Sequence, residues 1–144
     1  MTEAVHVDAI AHAIQLAVTP VFLLAGVGAM LSVLANRLAR IVDRGRVLHD
    51  RRHHDPSEAG EIDLELAVID RRMRVVNTAI SLCTLCALLI CTVVAVLFLG
   101  TITARGNATA LAVLFIAAMG CLIGALLAFL VEIYMATVKV ALRR

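Results

Sequence analysis

Two apolar series in this chain keep a three–four spacing straight through the point where lipid-compatible sequence gives way to arginine-rich sequence. Leu24, Val27, Leu31, Leu34, Leu38, Ile41 and Leu48 form the first, with Gly45 in the remaining slot. Ile62, Leu66, Ile69, Met73, Val76 and Ile80 form the second. This period puts each series on one stripe of an α-helix and suits a coiled-coil-like seam. Neither stripe stops where lipid must end. The expected fold is therefore an all-α integral membrane protein whose first two helices extend into the cytosol as a packed antiparallel hairpin.

Composition agrees. The chain has 144 residues, 62% of them hydrophobic, and a mean hydropathy of +0.97, which argues against an ordinary soluble domain. Residues 13–35, 75–99 and 111–131 are long and uncharged enough to span. Each reaches the roughly 20 apolar residues that a bilayer core requires of a helix. Helices are the expected form, since open strands would leave peptide groups unpaired in hydrocarbon. The whole chain reads as a single membrane domain, with the helical hairpin at 36–74. Arms of about 12–14 residues would project roughly 20 Å, at 1.5 Å per residue.

The basic residues set an orientation. Arg37, Arg40, Arg44, Arg46, Arg51, Arg52, Arg71, Arg72 and Arg74 lie between the first two spans, and Lys139, Arg143 and Arg144 follow the third. The loop after the second span holds only Arg105, and the N-terminal segment has Glu3 and Asp8 but no Lys or Arg. This predicts a multi-pass protein of the bacterial inner (plasma) membrane, with the N-terminus outside and the hairpin and C-terminus cytoplasmic. The N-terminus lacks the basic region of a cleaved signal, so the first span is expected to be retained. The formal net charge of +2 suits a face beside anionic lipid better than a nucleic-acid partner.

Along the chain, residues 1–12 read as a short external lead-in, and Pro20 should kink the first span or end an interfacial turn. Asp55, Pro56, Ser57 and Gly60 mark a turn, and Glu61, Asp63 and Glu65 suit the positive end of the returning helix. An external turn is expected at 100–107, where Asn107-Ala108-Thr109 matches a glycosylation acceptor too common by chance to carry weight. Cys83, Cys86, Cys91 and Cys121 all fall within spans. The Cys83/Cys86 pair has no second ligand pair, so packing is the plain reading and a thiol switch or metal site the sharper one. His49, His53 and His54 match no defined zinc spacing and read as a solvated tip; no metal or cofactor is implied.

The polar residues at the inner boundary carry more. Asn36 and Arg37 end the first span, Arg74 and Asn77 begin the second, and Glu132 and Tyr134 end the third, all at similar expected depth. Asn77, Ser81 and Thr84 share one helical face. Polar groups at membrane depth usually face a bundle interior or water. One reading is a satisfied network with Glu132 paired to Arg37 or Arg74; the other is an ion vestibule lined by Asn77, Ser81 and Thr84. Arg37, Arg40 and Arg44 form a basic stripe, and Arg71, Arg72 and Arg74 a second cluster. They suit lipid-phosphate anchoring or an anion site, with Asp43 and Asp70 available to neutralise part of the charge. Gly28 with Ser32 and Gly120 with Gly124 supply small residues for close helix packing, within one subunit or between copies.

The run Thr19-Pro20-Val21-Phe22-Leu23-Leu24-Ala25-Gly26, then Asn36-Arg37-Leu38-Ala39-Arg40-Ile41-Val42-Asp43-Arg44, resembles the small three-span bacterial membrane proteins of domain-of-unknown-function family 2721. The resemblance covers most of the chain and implies three membrane helices, with no activity or site residues to carry over. Two functional expectations stand. The first is a homo-oligomeric inner-membrane ion channel or small-solute pore with a helical vestibule, its partners being lipid, ions and further copies of itself. The alternative is a non-conducting scaffold or sensor whose hairpin binds a partner protein or an anionic ligand. No activated nucleophile, paired carboxylates within the spans or phosphate-cradling glycine loop points to an enzyme.

Overall fold

The computed structural model describes residues 2–54, 59–103 and 108–141, and the side chains within 14–15, 18–54, 59–100 and 108–137. Three α-helices account for the described residues: α1 (Thr2–His54), α2 (Ala59–Thr103) and α3 (Ala108–Ala141). All three are long and apolar enough to cross a membrane. At 1.5 Å per residue, the 53 residues of α1 extend about 80 Å, against roughly 30 Å of bilayer hydrocarbon. Helix therefore continues well beyond any span.

The apolar stripes are what the helices bury. In the first series Val27, Leu34, Ile41 and Leu48 are buried, and Leu24, Leu31, Leu38 and Gly45 between them are half-buried. The second alternates in the same way, with Ile62, Ile69 and Val76 buried and Leu66, Met73 and Ile80 half-buried. On α3 the inward line is Ala118, Ala125 and Glu132, at steps of seven. Its outward side is large and apolar: Ile116, Ile123, Leu127 and Leu130 are all exposed. A contiguous apolar face of this kind is unstable in water and suited to lipid chains.

Contacts gather into two compact units, one from Met1–Met30 with Cys83–Ile123 and one from Leu31–Leu82 with Gly124–Arg144. Among the described residues, Val27, Cys83, Cys86, Ile90, Val93 and Ala118 are buried in the first, as is Pro20. In the second, α1 and α2 meet in opposite order along their lengths, through Arg52 with Asp63, Arg44 with Glu65, and Gly45 against Ile69. Gly124 lets α3 approach α2: a Cβ there would lie 3.2 Å from Leu82 Cδ1.

Several boundaries differ from expectation. Helix α1 already includes the 2–12 segment and runs unbroken past Pro20, which is buried. Proline forfeits one backbone hydrogen bond, and helix is nevertheless present on both sides of it. Helix α2 begins at Ala59, so Gly60 lies in its first turn, and it extends to Thr103. Asp55, Pro56, Ser57, Arg105, Asn107, Arg143 and Arg144 lie outside the described residues, as do the side chains of Glu3, Asp8 and Lys139.

Candidate functional site

The site lies wholly within the unit formed by Leu31–Leu82 and Gly124–Arg144. It starts from the buried stripes. Arg37 falls three residues after Leu34 and four before Ile41, and Arg72 three after Ile69 and four before Val76. Helical spacing therefore turns both arginines toward the packed faces of their helices. Glu132 ends the Ala118–Ala125 line on α3 and is only 1% exposed. A buried carboxylate requires charged or hydrogen-bonding partners, and both arginines supply them. Arg37 Nη1 donates to Glu132 Oε2 at 2.6 Å, and Arg72 Nη2 donates to Oε1 at 2.7 Å. One carboxylate thus ties together all three helices. Phe129, one turn earlier on α3, places its ring 5.0 Å from Arg37 Cζ, a cation–π contact that steadies the guanidinium.

Around this clamp is an open cleft of about 580 Å³, lined by Val33, Asn36, Arg37, Arg40, Ile41, Arg44, Ile69, Arg72 and Glu132. That volume is typical of a small-ligand site. Its chemistry is unbalanced, with four guanidinium groups facing one carboxylate. Each guanidinium offers five N–H donors, and Glu132 takes one from each of two arginines. Arg72 Nε is buried without an acceptor. Arg44 reaches Glu65 only at 3.7 Å, between partly exposed side chains, and Arg40 makes no ion pair among the described residues. Such an arrangement attracts oxyanions.

Other candidates from the sequence separate. Asn36 joins the cleft lining, whereas Asn77, Ser81, Thr84 and Tyr134 are exposed on the outside of the chain. Glu132 pairs with Arg72 in place of Arg74, because Arg74 lies off the buried stripe; Arg71 and Arg74 are exposed and line no part of the cleft. Asp43 and Asp70 make no ion pair among the described residues, and Asp63 and Glu65 serve instead. At the end of α1, His54 Nδ1 donates to the Asp50 carbonyl at 2.9 Å, and the His49 and His53 rings meet edge-on. Among the described residues no group of His, Cys, Asp or Glu is arranged to hold a metal. Phe129 and the apolar wall of Val33, Ile41 and Ile69 did not emerge from the sequence as site residues. The available signal was the placement of Phe129 three residues before Glu132, on the same helical side.

Three apolar helices joined by one buried carboxylate and two arginines define a multi-pass membrane protein. The chain belongs to the family described as protein of unknown function (DUF2721), which matches residues 17–142. Comparison with curated proteins and with solved structures finds no match.

Proposed function

We propose that this protein is a non-conducting membrane scaffold or sensor that binds an anionic ligand in its arginine-lined cleft. The observation that carries this reading is the imbalance of four arginines against one buried carboxylate in a single cleft. Glu132 holds Arg37 and Arg72 in fixed positions, and Arg40 and Arg44 leave the net charge positive. The cleft falls where the apolar runs end, just after residue 35, just before 75 and just after 131. With the arginine-rich segments cytoplasmic under the positive-inside rule, this is the inner boundary of a bacterial plasma membrane. The N-terminus is then outside, and the antiparallel arms of α1 and α2 form a cytosolic hairpin.

The test is reconstitution of the purified full chain, paired with anion titration. The proposal expects ion flux no greater than in protein-free liposomes, and saturable stabilisation by polyvalent anions that Arg40→Gln weakens. Flux through the protein, or anion effects identical in the variant, would refute it.

A second reading, the homo-oligomeric pore, is favoured by one observation. Asn77 and Ser81 are exposed on the outer side of α2, at a depth where lipid contact is costly. Contact with another copy would relieve that cost and could assemble a polar path. Against its selective ring, Glu132 is already satisfied inside one subunit. Defined oligomers with conductance altered by Asn77→Leu would support the pore.

A further inference from the structure

We infer that the ligand of this cleft is a negatively charged phosphate ester, held chiefly by Arg40 and Arg72 and presented at the level of lipid headgroups. The inference rests on the reading of the cleft as an anion site. Three features select phosphate. First, Arg72 lines the cleft with its side chain 24% exposed and commits only Nη2 to Glu132, so its guanidinium keeps further N–H groups to donate. Guanidinium forks pair their N–H groups with the several oxygens of a phosphate, a geometry a single carboxylate exhausts sooner. Second, the cleft holds more positive charge than one monoanion neutralises, since among the described residues Arg40 has no ion pair and Arg44 only a long one to Glu65. Third, the lining is amphiphilic. Val33 borders the apolar run of α1, and Arg40 and Arg44 follow one and two turns beyond Asn36. A phosphate carried on a glycerol backbone would set its charge on the arginines and its less polar part along Val33.

Glu132 has a positioning role in this scheme. Its two short bonds fix Arg37 and Arg72, so the ligand need not order them itself, which favours binding. The phosphate source is either an anionic phospholipid in the membrane plane or a soluble phosphate ester from the water side.

The experiment uses the full chain purified in neutral detergent. Native mass spectrometry counts lipids retained from equal amounts of phosphatidylglycerol and phosphatidylcholine. Thermal shift titrations use glycerol 3-phosphate, inorganic phosphate and, as a polyanion without phosphorus, citrate. The expected result is preferential retention of phosphatidylglycerol, reduced about tenfold by Arg40→Gln, the loss of one charge-assisted contact. Arg40 is exposed and makes no ion pair among the described residues, so its variant should melt as the parent does; Arg74→Gln, outside the cleft, serves as the matched charge control and should retain lipid normally. Saturable, Arg40-dependent binding of glycerol 3-phosphate supports the inference and assigns a soluble source, whereas phosphatidylglycerol alone assigns lipid. Arg40-dependent binding of citrate with no phosphate ester bound overturns this inference and leaves the broader anion reading standing. Equal loss in Arg40→Gln and Arg74→Gln, or no anion bound at all, overturns both.

Discussion

Replacing Glu132 by glutamine tests how the unit is held together. The change keeps the shape and one carbonyl oxygen, and sets an amide N–H₂ against a guanidinium donor. In the parent, two charge-assisted bonds of 2.6 and 2.7 Å converge on a side chain that is 1% exposed. Each such bond contributes about 1.5–3 kcal/mol net, against roughly 0.5–1.5 for a neutral one. Removing one member of a fully buried pair costs about 3–5 kcal/mol. Arg37 and Arg72 are 38% and 24% exposed, so solvent recovers part of their loss. The expected destabilisation is about 2 kcal/mol, which at roughly 2–4 °C per kcal/mol lowers Tm by about 4–8 °C. Circular dichroism melts in neutral detergent read the change. Arg37→Gln combined with Glu132→Gln should cost less than the sum of the single changes, because both remove the same bond. A Glu132→Gln protein that melts within about 1 °C of the parent, or strict additivity in the double variant, would refute the clamp.

Three more outcomes follow from packing. Gly124→Leu should destabilise by about 1–3 kcal/mol in thermal melts because the new side chain meets Leu82, whereas Gly120→Leu, with nothing within 4 Å, should melt like the parent. Leu34→Ala, at a wholly buried position, should cost about 2–5 kcal/mol by chemical denaturation, and Phe22→Ala, 74% exposed, close to nothing. Asp63→Asn removes an exposed pair with Arg52 and should change stability by no more than about 0.5 kcal/mol, in an effect that vanishes at high salt.

The heptads were legible because the same residues must be apolar in lipid and apolar in a helix seam; their alternation of buried and half-buried positions follows directly from the sequence period. The site was legible in its ingredients and only partly in its pairing. Glu132 and Arg37 could be matched by depth. Depth alone does not distinguish Arg72 from Arg74, two residues apart on one helix. The distinction lies in the angle around the axis: Arg72 shares the stripe of Ile69 and Val76, and Arg74 does not. Asn77, Ser81 and Thr84 show a different limit of the sequence. Their shared face was readable, but a period cannot say whether a polar face turns inward or outward, and here it turns outward. Phe129 is not legible as a site residue, since an aromatic among apolar neighbours carries no mark of a guanidinium partner. Pro20 sits within continuous helix, so it does not end an interfacial turn.

In the proposed anion site, Arg40 and Arg72 hold the ligand and Glu132 fixes Arg37 beside them. Crystals of the full chain grown with selenate, a tetrahedral oxyanion visible by anomalous scattering, address it at atomic scale. An anomalous peak is expected in the cleft within hydrogen-bond reach of the Arg40 and Arg72 guanidiniums, absent from crystals of Arg40→Gln. Selenate found only elsewhere on the protein, or unchanged in that variant, would contradict it.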